Sequence, residues 1–211
     1  MQINKTKFSI FEFLSPLKEN RFFVILLLFL LIGMFFGAIS VAQFENNYFE
    51  FLEKLITSFV SYKSNSSFIQ LFFSFFIKCI SLIFIIIISA FGICGIPLLP
   101  IIIFMRGFTV SIISGMLYRQ FSLQGIAFAD LILLPSCLAL NFVLLYLSSN
   151  AMSLSWEFVN VLRDCSSRGI VIKPKCIFFL QKSLKCMFAV IFISVADSAL
   201  SLGFIKYFNF Y

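Results

Sequence analysis

Four charged side chains lie inside long apolar stretches of the 211-residue sequence, and they are the first candidates for chemistry. These residues are Lys78, Arg106, Asp130 and Asp197. Ionisable groups within a membrane span are costly, so they normally pair with one another or line a path for protons or ions. Because the sequence contains no histidine, we interpret these four charges as structural partners rather than as a proton relay.

These charges fall into two pairs whose members lie at similar depths in their predicted spans. At about 1.5 Å per residue, Arg106 lies roughly 14 Å and Asp197 roughly 16 Å from the inner ends of their predicted spans. Lys78 and Asp130 both lie toward the outer ends of theirs. We therefore predict that Arg106 pairs with Asp197 and that Lys78 pairs with Asp130.

The missing histidines also exclude several classes of function. Ser-His-Asp and Cys-His catalysis and His-ligated zinc all require an imidazole. The 6 cysteines include no CxxC pair, and none lies in the predicted outer loop, so we expect free thiols. We predict a non-enzymatic protein with no cofactor, no metal and no nucleic-acid partner.

The composition identifies the environment in which these residues must be positioned. Hydrophobic residues make up 61% of the chain and charged residues only 12%, about half the charged share of a soluble domain. We predict an all-α, polytopic membrane helix bundle with membrane lipid around it. A span needs about 20 apolar residues, and residues 1–211 form a single membrane domain with about five predicted spans: 22–42, 71–94, 97–118, 126–147 and 186–205.

The second and third spans are separated only by a short segment with residues that interrupt helices, namely Gly92, Gly95 and Pro97. Glycine suits a helix end and proline suits a first helical turn, so we favour a tight turn here. A re-entrant pair of half-helices is the alternative.

Basic residues beside the spans predict the orientation. They concentrate in the N-terminal tail and in residues 148–185, whereas residues 43–70 carry Lys54 and Lys63 against three glutamates. Since lysine and arginine favour the cytoplasmic side, we place the N-terminus in the cytoplasm and residues 43–70 outside. We interpret the first span as an uncleaved anchor and residues 148–185 as a loop with a short helix near Leu154–Cys165.

The outer loop has the pattern of an amphipathic helix, with apolar residues at helical spacing on one face. This predicted docking face comprises Tyr48, Leu52, Leu55, Ile56 and Phe59. Two alternatives are open for it: docking of an extracytoplasmic partner or the membrane surface, and packing on the protein's own spans.

Small residues recur every four positions in the third span, at Gly107, Ser111 and Gly115. Such a stripe lets a neighbouring helix approach closely. We interpret it as a packing surface, either within the chain or with another subunit.

Several of these features together resemble the stage II sporulation protein M family. The matching residues are Gly92, Gly95 and Pro97 at the turn, Arg106, Gly107, Phe108 and Gly115 in the third span, and Pro135 at the start of the fourth. Arg106 stands where the family pattern has a lysine, and Ser136-Cys137 stands where an amide pair is expected. The resemblance in length and layout covers essentially the whole chain.

The resemblance implies a scaffold in the bacterial cell membrane. By this interpretation the protein localises peptidoglycan-degrading enzymes during forespore engulfment, with stage II sporulation proteins D and P as partners. The alternative is a permease-like transporter subunit that works with a cytosolic ATPase, which the intramembrane charges and a broken helix at Gly92–Pro97 would suit.

Overall fold

The computed structural model describes residues 21–43, 46–163 and 169–204, with side chains for residues 21–43, 51–162 and 174–204. Among these residues there is no strand, and the predicted all-α bundle is confirmed. In chain order, the elements are α1 (Arg21–Gln43), α2 (Asn46–Asn65), α3 (Phe68–Ala90), α4 (Gly95–Phe128), a π-helical turn (Ala129–Leu133), α5 (Leu134–Arg163) and α6 (Gly169–Phe204).

Four segments of the described chain are long and apolar enough to cross a membrane: Arg21–Gln43, Phe68–Ala90, Gly95–Leu162 and Pro174–Phe204. The third has 68 residues, which would extend about 100 Å as a straight helix, far beyond an apolar core of about 30 Å. The chain reverses inside it at Ser122, where φ is 48° and ψ is −127°. Gly125 consequently lies against the backbone of Leu117. The reversal divides this segment into two crossings, in agreement with the predicted turn between the third and fourth spans.

Contacts between helix ends define the two ends of the bundle. We call the two ends inner and outer after the predicted topology. At the inner end, Phe22 of α1 packs against Trp156 of α5, with ring centroids 6.4 Å apart. At the outer end, Val41 of α1 shares an apolar cluster with Met116 and Phe128, which flank the reversal. These contacts agree with the predicted order of crossings. Which end faces the cytoplasm stays a prediction from the charge pattern.

Of the three apolar clusters in the described residues, two join most of the helices. The larger one draws on α1, α3, α4, α5 and α6, and its fully buried members include Leu26, Ile83, Ile86, Leu99, Leu144, Leu147 and Val190. The outer cluster joins α2 to the bundle and consists of Val41, Ile56, Val60, Met116, Leu117, Phe128, Ala129 and Ile132. The outer cluster thus fixes α2 at one end of the molecule.

The first part of α4 packs against α1 at close range. Gly33 of α1 lies against the carbonyl oxygen of Phe104, and Gly107 of α4 lies against that of Leu30. A Cβ atom at either glycine would collide with the backbone of the neighbouring helix. The predicted small-residue stripe therefore packs within the chain.

The segment between α3 and α4 is a tight turn at the inner end. The Gly92 N–H donates to the Ser89 carbonyl at 3.3 Å, and the Gly95 N–H donates to the Gly92 carbonyl at 3.2 Å. These hydrogen bonds, and helices on both sides that are long and apolar enough to cross a bilayer, favour the predicted tight turn over the re-entrant alternative.

Residues 148–185, which the sequence predicts as a loop with a short helix near Leu154–Cys165, are largely helical in the structure. α5 continues without a break to Arg163, and α6 begins at Gly169. Leu147, Ala151 and Leu154 recur at helical spacing and are all buried against other helices, so tertiary packing extends the helix beyond the predicted span. Residues 164–168, where the predicted short helix would end, lie outside the described residues.

Candidate functional site

α2 packs on the outer end of the bundle through one apolar face. Ile56 and Val60 are buried in the outer cluster, and Leu52 and Phe59 are partly buried against it. Positions three and four residues apart share one side of a helix. For this face, the structure shows the second of the two alternatives, packing on the protein's own spans.

A buried ion pair joins α2 to α6. Nζ of Lys63 lies 3.4 Å from Oδ1 of Asp197, and these residues are 7% and 2% exposed. Ser136 of α5 donates its hydroxyl to the same carboxylate oxygen at 2.7 Å. The Lys63 ammonium also lies 5.8 Å from the centre of the Phe59 ring, a cation–π distance. Three helices therefore meet at one carboxylate.

A second polar attachment lies beside the reversal at Ser122. The Gln120 side-chain amide donates to the Thr57 hydroxyl at 3.0 Å, and its nitrogen lies 3.5 Å from the Glu53 carboxylate. Because Gln120 and Asp197 contact α2 from different helices, the two attachments together fix the rotation of α2 about its own axis.

The side of α2 that faces away from these attachments carries an uncovered apolar surface. We call it the α2 stripe, and it consists of Phe51, Leu55, Ser58 and Tyr62. Phe51 is 65% exposed, Leu55 is 52% exposed and Tyr62 is 45% exposed.

The predicted docking face is therefore divided. Of its members, Leu55 lies on the α2 stripe, whereas Leu52, Ile56 and Phe59 face the bundle. The side chain of Tyr48 lies outside the described residues. The predicted face was too wide because the sequence pattern does not show which part of an apolar surface packs on the protein itself.

Arg106 is not the partner of Asp197. The ion pair of Asp197 is with Lys63, so the predicted pairing is wrong. The physical reason is that Lys63 turns inward from α2 and its four-carbon stem carries the ammonium to the carboxylate. Nε of Arg106 is buried without a hydrogen-bond partner.

The second predicted pair is also replaced. Asp130, in the π-helical turn, accepts a hydrogen bond from the Tyr118 hydroxyl at 2.9 Å. Lys78 is exposed on α3, and within the described ranges no ion pair joins it to Asp130. The π-helical turn and the reversal at Ser122 bring Asp130 back against α4, which a depth estimate along straight helices does not capture.

The described residues contain no group of three or more His, Cys, Asp or Glu side chains that could hold a metal ion. The buried polar contacts described above all join one helix to another. What this arrangement does chemically is to attach α2 firmly to the membrane bundle.

A sequence profile described as Stage II sporulation protein M matches residues 25–201 of the chain. The chain belongs to this family. Membership indicates a sporulation-related, multi-pass membrane protein, and it confirms the resemblance seen in the sequence. No curated protein and no solved structure matches the chain.

The residues that carried the resemblance to the stage II sporulation protein M family occupy two places in the structure. Gly92, Gly95 and Pro97 form the tight turn at the inner end, where Gly95 is packed against the backbone of Ser89 and the side chain of Ser155. This first group shapes the connection between α3 and α4.

The second group of family residues lies on α4 and at the start of α5. Gly107 and Gly115 face α1, and the ring of Phe108 stacks on that of Phe104 with centroids 6.3 Å apart. Pro135 lies in the first turn of α5, directly before Ser136, whose hydroxyl reaches Asp197. These family positions therefore hold α4 against α1 and lead into the attachment of α2.

Sequence reasoning missed several residues of this site. Lys63 belongs to residues 43–70, which the charge pattern predicts to lie outside, and nothing in the sequence indicates that its ammonium turns inward. Gly33 and Gly37, spaced four residues apart in the first span, were a signal that could have identified α1 as the partner of the small-residue stripe.

Proposed function

We propose that the protein is a non-enzymatic membrane scaffold that localises peptidoglycan-degrading enzymes during forespore engulfment. Partners of the class of stage II sporulation proteins D and P would dock on the α2 stripe. The observation that carries the proposal is that α2 is locked to the bundle on one side and presents apolar residues on the other.

The buried ion pair supports a rigid platform rather than a freely moving loop. Breaking a buried pair by removing one partner typically costs about 3–5 kcal/mol, so the Lys63–Asp197 contact resists detachment of α2. A platform fixed in this way holds whatever binds to it at a defined position relative to the membrane.

The α2 stripe supports the docking role. Contiguous apolar surface outside a membrane core marks interaction sites, and aromatic residues dominate the binding energy of such surfaces. Phe51 and Tyr62 flank Leu55 along one side of α2 at helical spacing. This surface is small, and it suits a helix or loop of a second membrane-associated protein.

The experiment replaces Phe51 and Leu55 with glutamate in a sporulating host and follows fluorescently tagged hydrolases. The expected result is that the hydrolases lose their localisation while the variant reaches the membrane at a normal level. Ser64→Glu is the matched control, because Ser64 is exposed on another side of α2. Normal localisation in the double variant, at a normal protein level, would reject the proposal.

The transporter alternative was supported by the intramembrane charges and by a broken helix at Gly92–Pro97, and the second of these is weakened by the structure. Gly92–Pro97 was its candidate for a broken helix, and binding sites of that kind lie near the bilayer midplane. In the structure this segment is a tight turn at the inner end, beside the contact of Phe91 with Phe179.

A further inference from the structure

A cleft of about 450 Å³ lies between α5 and α6 near the inner end of the bundle. We call it the inner cleft, and the residues that matter here are Asn150, Leu154, Glu157, Lys175, Phe178 and Lys182. Phe179 also lines it and contacts Phe91 of the tight turn, with ring centroids 6.2 Å apart. The inner cleft therefore lies at the opposite end of the molecule from α2.

Lys182 supplies a positive charge to this cleft that no described carboxylate neutralises. Its Nζ donates to the Asn150 side-chain carbonyl at 2.6 Å and lies 4.6 Å from the centre of the Phe178 ring. The centre of the Tyr146 ring lies 5.8 Å from the same ammonium, and all three partners are uncharged. A lysine ammonium has three N–H donors, so two remain for a ligand.

Glu157, the one acid among the described lining residues, is already paired. Glu157 lies 2.8 Å from Lys175 Nζ, and both line the inner cleft. Since these two charges cancel, Lys182 leaves the described lining residues with an excess of one positive charge. The cleft thus favours an anion.

The walls of the cleft narrow the choice of anion. Phe178 is 58% exposed and Leu154 forms part of the same lining, so apolar surface adjoins the ammonium. Trp156 lies two residues after Leu154, outside the lining of the cleft, and is also exposed. Tryptophan is enriched where a membrane meets water. A free phosphate ion would pair with the Lys182 ammonium but would leave the apolar wall of the cleft exposed.

We propose that the inner cleft binds an anionic phospholipid of the adjoining leaflet. Lys182 donates to the phosphate oxygens, and Phe178 contacts the upper part of an acyl chain. Basic pockets between membrane helices bind lipid headgroups in this way. Under the predicted topology the leaflet is the cytoplasmic one.

The test uses the full chain in nanodiscs of phosphatidylcholine with added phosphatidylglycerol, and native mass spectrometry counts the retained lipid. We expect phosphatidylglycerol to be retained about fivefold better than phosphatidylcholine, the effect of one lysine near a membrane surface. Lys182→Gln should abolish this preference. Lys185→Gln, which removes the same charge at an exposed site outside the cleft, should keep it.

Asn150→Asp is a second variant that tests the proposal even if Lys182→Gln fails to fold. It places a carboxylate beside the Lys182 ammonium with almost no change in shape, so it should also abolish the preference. Equal retention of both lipids by the unmodified protein, or an unchanged preference in Asn150→Asp, would overturn the proposal. Displacement of phosphatidylglycerol by millimolar inorganic phosphate would assign the site to free phosphate instead, and would overturn it too.

Discussion

The ammonium of Lys63 lies 3.4 Å from the carboxylate of Asp197, although the two residues are 134 positions apart in the chain. One comes from a helix outside the predicted spans and the other from the last span. Their contact closes the outer end of the bundle, because α2 cannot leave without exposing a buried carboxylate.

Lys63→Ala and Asp197→Ala should each lower the amount of folded protein in the membrane. Each leaves one buried charge without its partner, at a cost of about 3–5 kcal/mol. The double variant should be milder than the sum, since it leaves no orphan charge. Thermal unfolding of the purified variants in detergent measures all three effects.

The control for this cycle is Arg106→Ala combined with Asp197→Ala. No ion pair joins Arg106 to Asp197 in the described chain. The stability losses of these two variants should therefore be closer to additive than those of Lys63→Ala and Asp197→Ala. A stronger coupling to Arg106 would show that the carboxylate pairs with the guanidinium instead.

Gly33→Ala and Gly107→Ala should each loosen the packing of α1 on α4. The added Cβ would meet the backbone of Phe104 or Leu30, so the helices must separate, and overpacking of this kind costs about 1–3 kcal/mol. Gly203→Ala is the matched control, since nothing lies within 4 Å of the added Cβ there. The melting temperatures of Gly33→Ala and Gly107→Ala should fall, whereas that of Gly203→Ala should not. Three equal melting temperatures would contradict the close packing.

Ser122→Gly should stabilise the reversal between the third and fourth crossings. The φ of 48° and ψ of −127° at Ser122 suit glycine, because a side chain there is strained. Relief of that strain is worth about 1 kcal/mol. Ser58→Gly, in the middle of α2, should instead lower the melting temperature, since glycine weakens a helix interior. A loss of stability in Ser122→Gly would argue against the reversal.

Cysteine labelling tests the orientation. Ser64→Cys, at the outer end, should react with a membrane-impermeant maleimide in intact cells. The native Cys94, exposed in the tight turn at the inner end, should react only after permeabilisation. The opposite pattern would place the N-terminus outside and contradict the positive-inside assignment.

The sequence predicts the crossings well because a bilayer demands about 20 apolar residues in each. α1 and α3 follow the predicted spans closely, and the turn at Gly92–Pro97 follows from glycine and proline. The extension of α5 to Arg163 was not predictable in the same way. The sequence predicts a short helix near Leu154–Cys165 but not its continuity with the preceding span, which goes with the burial of Ala151 and Leu154 against other helices.

The candidate site was harder to predict because its contacts join distant parts of the chain. Matching depths made Arg106 a reasonable partner for Asp197, yet depth does not say which helices are neighbours. A lysine assigned to the solvent can turn inward on its long stem, as Lys63 does. Likewise, the apolar face of α2 was visible in the sequence, but its division into a packed part and an open part depends on the outer cluster.

The long separation between Lys63 and Asp197 also has a consequence for biogenesis. Translation at about 5–20 residues per second would complete Lys63 well before Asp197, which lies 134 positions later. During that interval α2 has emerged, but the carboxylate that anchors it has not been made. A chain that terminates before position 197 would therefore keep the outer cluster and the Gln120 contacts but leave the Lys63 ammonium without its carboxylate. The arrival of the last helix is thus the event that completes the attachment of α2.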